Sequence, residues 1–299
     1  TGTFVPDAEG PKGNEKALGP RVAKLTDDML QFKETPQMIK ILDNYDIDYV
    51  KWDFNRNITE YYSSVLNPQE QVSFAHRWML ASYDLMDYFI NKYPNVFFEG
   101  CAGGGGRFDP GMLYYFPQIW CSDNSDAFSR EFIQYGTSLV YPLSSFTGHV
   151  SVCPSHADKR VTPFKTRCDI ASLCSTGYEL DITILSDEEK AQVKENVRRY
   201  RELSDLILNG DLYRLASPFE DGFFAESVVS KDKATAFVVV GVGINSGNIT
   251  RTIKLRGIDD GEYLIKELNI VKTGKELKSG LTLTFNESYQ THSLTLIKK

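Results

Sequence analysis

Three carboxylates stand where a strand-like apolar run gives way to polar residues. They are Asp53 after Val50-Lys51-Trp52, Glu99 after Val96-Phe97-Phe98, and Asp123 after Trp120-Cys121-Ser122. Two carboxylates facing one another across a pocket are the minimum equipment for glycoside hydrolysis: one attacks the anomeric carbon, the other protonates the leaving oxygen. The commoner work of a strand-end aspartate is to cap a helix or pair with a cation, so the neighbours of each residue carry the argument.

Lys51 and Asp53 are two positions apart, so on a strand both point to one side, and Asn55 continues that side. A nearby ammonium favours the ionised carboxylate that a nucleophile needs. Asn55 has the chemistry to bond sugar hydroxyls. Trp52 points the other way, which makes core packing its simpler task. Cys101-Ala102-Gly103-Gly104-Gly105-Gly106-Arg107 lets backbone approach a ligand closely and offer it N–H groups. No Lys-Ser or Lys-Thr follows the glycines, so the loop is not a nucleotide-phosphate loop. No motif ties His149 or His156 to Cys101, which makes it a small wall residue rather than a thiol nucleophile. Asp123 and Asp126 leave two assignments open. Asp123 stands at the strand end, while Asp126 begins a helical stretch, where a first-turn carboxylate needs no catalytic explanation.

The elements that must position these residues alternate. Thr35-Pro36 opens a helix running to about Asn44, and residues 47–53 form a strand. Asn67-Pro68-Gln69-Glu70 opens a long helix whose buried face is Ala75, Met79, Ser82, Met86 and Phe89, ending at Tyr93-Pro94. Strands follow at 96–99 and 118–121, a helix at 127–135, a strand at 138–141, a long loop at 143–166 and a last β-like stretch at 178–180. Strands apolar on both faces between helices point to parallel βαβ units, and polar strand ends running into loops suit a (β/α)8 TIM-type barrel. A complete barrel takes roughly 250 residues, so the barrel is expected to be incomplete at its N-terminal side. Ser186 with Glu189 is a capping box, and its helix ends at Asn209-Gly210, read as a left-handed stop. Short β runs at 223–229, 235–240, 250–255 and 263–268 then alternate with turns. The expected organisation is a partial barrel over 1–210 and an antiparallel β-sandwich over 211–299.

The 299 residues carry a net charge of −7, which argues against nucleic acid as a partner. No apolar run reaches the roughly 18 residues of a membrane span. The first residues lack the basic and apolar regions of a signal peptide and an initiator Met, so the chain reads as part of a longer product. The five cysteines are odd in number and form no CxxC pair. That pattern suits a reduced, cytoplasmic protein. The four histidines show no zinc-ligand spacing, and no metal or cofactor is expected.

Taken together, KWDFNRNITE at 51–60, FEGCAGGGGRFDPGMLYY at 98–115 and WCSDNSDA at 120–127 resemble family 36 of the glycoside hydrolases, the bacterial α-galactosidases. YGTSLVYP at 135–142, GHVSVCPSHADKRVTPFKTR at 148–167, GYELDI at 177–182 and the segment 186–218 continue the likeness, dense over 36–218. The resemblance implies a retaining α-galactosidase acting on raffinose- or melibiose-type galacto-oligosaccharides without a metal. It implies Asp53 as nucleophile, Asp123 as acid/base, and galactose contacts at Lys51, Asn55, Cys101, Gly103 and Gly104, with Trp52 in the same motif. It also implies a bacterial cytoplasmic enzyme that is a homotetramer when whole. The family's N-terminal β domain and first barrel strands have no match before residue 30, and no sugar-binding role is carried over to Arg21. Two other readings stand beside this one. A non-catalytic carbohydrate-binding remnant would release no galactose from a chromogenic α-galactoside. A transglycosylating relative would pass galactose to an acceptor such as sucrose.

Overall fold

The computed structural model describes residues 34–54, 62–63 and 66–299, and the chain divides into two units between Ile119 and Trp120. In the first, helix α1 (Glu34–Asn44) leads into strand β1 (Tyr49–Asp53). Asn67 accepts from the Glu70 backbone N–H at 3.0 Å, the expected helix start, and the Glu70 carboxylate accepts in turn from the Asn67 N–H, which makes the start a capping box. The single long helix expected from the sequence is instead two. A one-turn α2 (Pro68–Gln71) stops where the Ser73 hydroxyl donates to the Glu70 carbonyl at 2.7 Å, and α3 (Phe74–Lys92) starts afresh. The buried face of α3 is correspondingly Phe74, Arg77, Ala81, Ser82, Leu85, Met86 and Phe89, while Ala75 and Met79 are only half-buried.

Strand β2 (Phe97–Cys101), helix α4 (Pro110–Tyr115, capped by Asp109) and the short strand β3 (Gln118–Ile119) complete this unit. The three strands form a parallel sheet in the order β1-β2-β3, with Asp53 opposite Cys101 and Glu99 opposite Gln118. Behind it Phe89, Phe98, Phe116 and Ile119 make an apolar core. Trp52 joins them edge-on to Phe89, with ring centroids 5.0 Å apart. Strand alternation therefore sends Lys51 and Asp53 to the other side, as the period of two requires.

The second unit opens with α5 (Ala127–Ser138). The strand expected at 138–141 does not exist. The backbone N–H groups of Leu139, Val140 and Tyr141 fold back onto the carbonyls of Gly136 and Thr137, leaving Leu139 and Val140 62% and 75% exposed. Two apolar side chains in series mimic a strand at a helix exit. The strand lies further on, within the stretch expected to be a loop: β4 (Thr147–Ser151) pairs in parallel with β5 (Ser175–Glu179) across α6 (Phe164–Ala171). Two parallel sheets, one in each unit, thus hold the βα portion among the described residues.

Helix α7 (Asp187–Asn209) begins at the expected capping box, Ser186 with Glu189. Its end differs from the expectation. Gly210 has φ −73 and ψ 177, an extended rather than left-handed conformation. Glycine is needed there for space, because an added Cβ would lie 2.5 Å from the Leu206 carbonyl oxygen and 2.6 Å from Val228. The chain runs directly into β6 (Asp211–Ala216), β7 (Phe223–Val229), β8 (Thr235–Val242), β9 (Ile249–Ile253), β10 (Glu262–Ile265), β11 (Ile270–Thr273), helix α8 (Gly274–Ser279), β12 (Leu281–Phe285) and β13 (Thr291–Lys298). A six-stranded sheet in the order β11-β10-β13-β8-β7-β6 and the pair β12-β9 enclose one apolar core containing Val238, Val240, Ile253, Leu283 and Phe285. From Asp211 onward the chain is antiparallel β apart from short helical turns.

Two buried carboxyls join α5 to this sheet. Glu131 packs against Gly241, where an added Cβ would meet its Oε1 at 2.2 Å, and burial raises its carboxyl well above the usual range. Glu226 on β7 accepts from the Ser138 hydroxyl at 3.3 Å, and that hydroxyl in turn accepts from Arg214 Nε at 2.9 Å. Burial pushes the Glu226 carboxyl up from 4.5 to about 7, against the opposing pull of Arg214 and Ser138. A carboxyl raised on folding contributes stability that is complete below its unfolded pKa and lost as pH rises through its folded one. Urea midpoints should therefore fall between pH 5 and 8. Glu226→Gln should remove roughly 3 kcal/mol of that dependence, leaving the part due to Glu131. An unchanged slope would refute the burial account of Glu226.

Candidate active site

At the end of β1 the structure brings four of the residues singled out from the sequence together. The Cys101 thiol bonds the Asp53 carboxylate, with the Gly104 N–H and the Lys51 ammonium nearby. Burial first, then Asp53, pushes the thiol up to about 11, while the Gly104 N–H and Lys51 pull the other way. At neutral pH Cys101 is therefore a neutral donor to Asp53 and not a nucleophile. Lys51 and Asp53 share a face because they are two apart on a strand. Cys101 reaches Asp53 because the register sets them side by side.

The glycine loop continues from Cys101. Gly103 and Gly104 have φ +59 and +76, left-handed values that other residues seldom adopt, and an added Cβ at Gly103 would meet nothing within 4 Å. The loop is closed by the Ala102 N–H bonding the Gly104 carbonyl at 2.9 Å and the Gly106 N–H bonding the Ala102 carbonyl at 3.2 Å. Arg107 donates to the Phe54 carbonyl and lies over the Phe54 ring, 4.6 Å from its centroid, which holds the exit of β1 against the loop. Burial lowers the Arg107 pKa from its usual value. Trp52 is on the core side of the strand, and Asn55 lies outside the described residues, as does Arg21. Glu99, the third strand-end carboxylate, is fully buried and accepts from the Tyr49 hydroxyl and from Gln118 Nε2 at 2.9 Å. It ties β1, β2 and β3 together, which is a structural task.

Asp123 lies in the second unit, exposed, in the turn before α5. Its Oδ1 accepts from the Trp120 indole Nε1–H at 3.1 Å. Arg130 pins the turn from below: Nε bonds the Asn124 carbonyl at 2.8 Å, Nη2 the Ser122 carbonyl at 2.6 Å, and Nη1 contacts Cys121 Sγ at 2.9 Å. Asp126 behaves differently. It caps α5 by accepting from the Ser129 N–H at 2.8 Å and pairs with Arg160, its side chain wholly buried. The choice that spacing leaves open between the two acids is narrowed by this contrast, since a capped and paired carboxylate is not available to a substrate.

Around Trp120 stand residues that the sequence alone does not single out. His149 stacks on the indole with centroids 4.2 Å apart and planes 19° apart, and its Nδ1 pairs with Glu179 at 2.8 Å. The Arg130 guanidinium lies 3.8 Å from the indole centroid. These residues come from α5, β4 and β5, so no local spacing announces their meeting; the one hint is that each falls in or beside a segment that carries the family resemblance. Among the described residues no group of three or more His, Cys, Asp or Glu is arranged to hold a metal ion. No helix there is long and apolar enough to cross a membrane, and none of the five cysteines is in a disulfide.

The family described as Melibiase matches residues 21–210. The chain belongs to the melibiase family. The α-galactosidase AgaA of Geobacillus stearothermophilus is 44% identical over 250 residues, covering 83% of this chain and 34% of its own length. The bifunctional α-galactosidase/sucrose kinase AgaSK of Mediterraneibacter gnavus is 42% identical over 260 residues, covering 86% of this chain and 27% of its own. The chain thus spans about a third of the length of these curated melibiase relatives. A crystal structure of an AgaA variant with 1-deoxygalactonojirimycin superposes with a TM-score of 0.88 at 38% identity, covering 99% of this chain and 42% of that one. Further AgaA variants are solved with raffinose, carrying an aspartate-to-asparagine substitution, and with stachyose, carrying an aspartate-to-alanine substitution. The likeness to GH36 structures identifies the coarse architecture, mixed α/β followed by antiparallel β.

Proposed function

We propose that this chain is the catalytic portion of a retaining α-galactosidase, with Asp53 as nucleophile and Asp123 as acid/base. The observation that carries the reading is the meeting of the Asp53 carboxylate, the Lys51 ammonium and the Gly104 N–H around the Cys101 thiol at the end of a parallel strand pair. The thiol hydrogen bond holds in place the carboxylate that would attack the sugar. The two aspartates altered in the raffinose and stachyose complexes of AgaA are as far apart in that chain as Asp53 and Asp123 are here, which supports the same pair. The parallel strands β1 to β5 belong, in this reading, to a (β/α)8 barrel over 1–210, and the part from 211 to 299 to a terminal β domain.

Asp53 attacks the anomeric carbon of a terminal α-galactose while Asp123 gives its proton to the leaving oxygen. Asp123, then a base, takes a proton from water, which attacks the galactosyl-enzyme from the face the leaving group occupied. Two inversions make a retention. Retention needs carboxyl groups about 5–6 Å apart in the assembled site, whereas about 9 Å would leave room for a water and invert. Lys51, Gly103, Gly104 and Asn55 would face the sugar. No cofactor enters, because two carboxylates and water suffice. Raffinose-type oligosaccharides are the substrate class, the cytoplasm the compartment and a homotetramer the form of the whole enzyme.

The test is the anomer of galactose seen first by proton NMR on digestion of an α-galactoside. The α-anomer should appear before mutarotation, and the β-anomer first would overturn the mechanism. Because the chain spans about a third of its relatives' length, the measurement is made on this chain and on the chain joined to the preceding portion of AgaA. Binding of galactosides without release by either would favour a carbohydrate-binding remnant.

A further inference from the structure

An exposed aspartate on a turn has two free side-chain torsions, yet a general acid must hold its proton within about half an ångström of the leaving oxygen. Asp123 is restrained at two levels. Arg130 bonds the carbonyls of Ser122 and Asn124, the residues on either side, which fixes the backbone. The Trp120 indole fixes the carboxyl, donating to Oδ1 at 3.1 Å.

The indole is itself held. It is 2% exposed, the Arg130 guanidinium lies 3.8 Å from its centroid, and the His149 ring stacks on it at 4.2 Å. His149 is anchored in turn by Glu179, the last residue of β5, at 2.8 Å. Gly177, opposite His149 in the parallel ladder, makes room for that ring, since an added Cβ would lie 3.1 Å from its Cδ2. One row of contacts therefore runs from the β4–β5 pair through His149 and Trp120 to the Asp123 carboxyl.

We infer that Trp120 is a positioning residue for Asp123, that His149 and Glu179 hold it in place, and that it designates Oδ2 as the oxygen that transfers the proton. The last step follows from hydrogen-bond chemistry. An indole N–H can only donate, so the oxygen it faces must be an acceptor in both protonation states. The carbonyl oxygen of a neutral carboxyl is a better acceptor than its hydroxyl oxygen, so the indole bond favours the acid with its proton on Oδ2. That proton passes from Oδ2 to the glycosidic oxygen as the bond to the sugar breaks, and the carboxylate left behind keeps its Oδ1 bond to Trp120. This inference rests on Asp123 being the acid/base.

The experiment compares kcat/KM for raffinose, whose leaving group needs a proton, with that for 2,4-dinitrophenyl α-galactoside, whose leaving group does not. It uses whichever form of the protein is active in the anomer measurement. Trp120→Phe keeps an aromatic ring against His149 and Arg130 but removes the donor. It should lower the raffinose value about 10- to 100-fold and the aryl value less than about threefold. His149→Phe, which keeps the stack and loses Glu179, should show the same split to a smaller degree. Equal losses on both substrates, or none on raffinose, would overturn the inference. Asp123→Ala is the reference: if it shows the split and Trp120→Phe does not, only the positioning role fails. If Asp123→Ala shows no split, the acid/base assignment itself fails. A readout independent of turnover is the Trp120 indole N–H resonance of this chain. In Asp123→Ala it should shift and exchange with solvent about tenfold faster while those of Trp52 and Trp78 stay put. An unmoved Trp120 resonance would likewise overturn the inference.

Discussion

Asp53→Asn should lower turnover of an α-galactoside by about 10⁴-fold or more, the scale on which loss of a covalent nucleophile acts. The substitution keeps size and shape, so the strand register that sets residue 53 beside Cys101 is retained. What is lost is the negative charge that attacks the anomeric carbon, and an amide oxygen is far too weak a nucleophile to replace it. A fold-wide collapse would also abolish activity, so a second variant is needed. Asp53→Ala leaves space on the nucleophile's side of the sugar, and azide supplied there should displace the leaving group in a single inverting step. The product expected from an α-galactoside is β-galactosyl azide. Full activity of Asp53→Asn, or an α-azide from Asp53→Ala, would remove the nucleophile assignment.

The parts of this site that lie on one strand are legible in the sequence, and the parts that cross between elements are not. Lys51, Trp52 and Asp53 sort correctly onto two faces because strand alternation is a local rule. The helix start at Asn67-Pro68 and the capping box at Ser186 are likewise readable, since their signals lie within three residues of one another. Local rules fail where a longer-range contact decides the outcome. Leu139 and Val140 have the side chains of strand residues but are exposed at a helix exit. Gly210 has the look of a left-handed stop, yet its lack of a side chain serves close packing against Val228, on a strand later in the chain. His149 and Glu179 meet through a parallel pairing whose register no single segment reveals. Asp123 and Asp126 cannot be separated by spacing. Burial separates them, together with Arg160, which reaches Asp126 from a distant loop. The chemistry is visible as motifs, and its support is not.

Asp123→Ala should divide substrates by leaving group. For raffinose, kcat/KM should fall about 10²- to 10⁴-fold, the usual contribution of a positioned general acid. For 2,4-dinitrophenyl α-galactoside it should change by less than about threefold, because kcat/KM reports the first displacement and that phenolate departs unprotonated. The second displacement also loses its base, so kcat on the activated substrate should drop and a galactosyl-enzyme should accumulate, visible as a burst of dinitrophenolate. Azide needs no base and should relieve that block. It enters after one inversion and makes a second, so its product is α-galactosyl azide, opposite to the product of Asp53→Ala. Asp126→Asn supplies the contrast. Asp126 is buried, caps α5 and pairs with the partly exposed Arg160, so its replacement should cost stability, on the order of 1–3 kcal/mol for a charge-assisted hydrogen bond lost. It should show no dependence on leaving group in whatever remains folded. A leaving-group split in Asp126→Asn and none in Asp123→Ala would exchange the two roles, and with them the reading that the exposed, Trp120-bonded carboxyl is the proton donor.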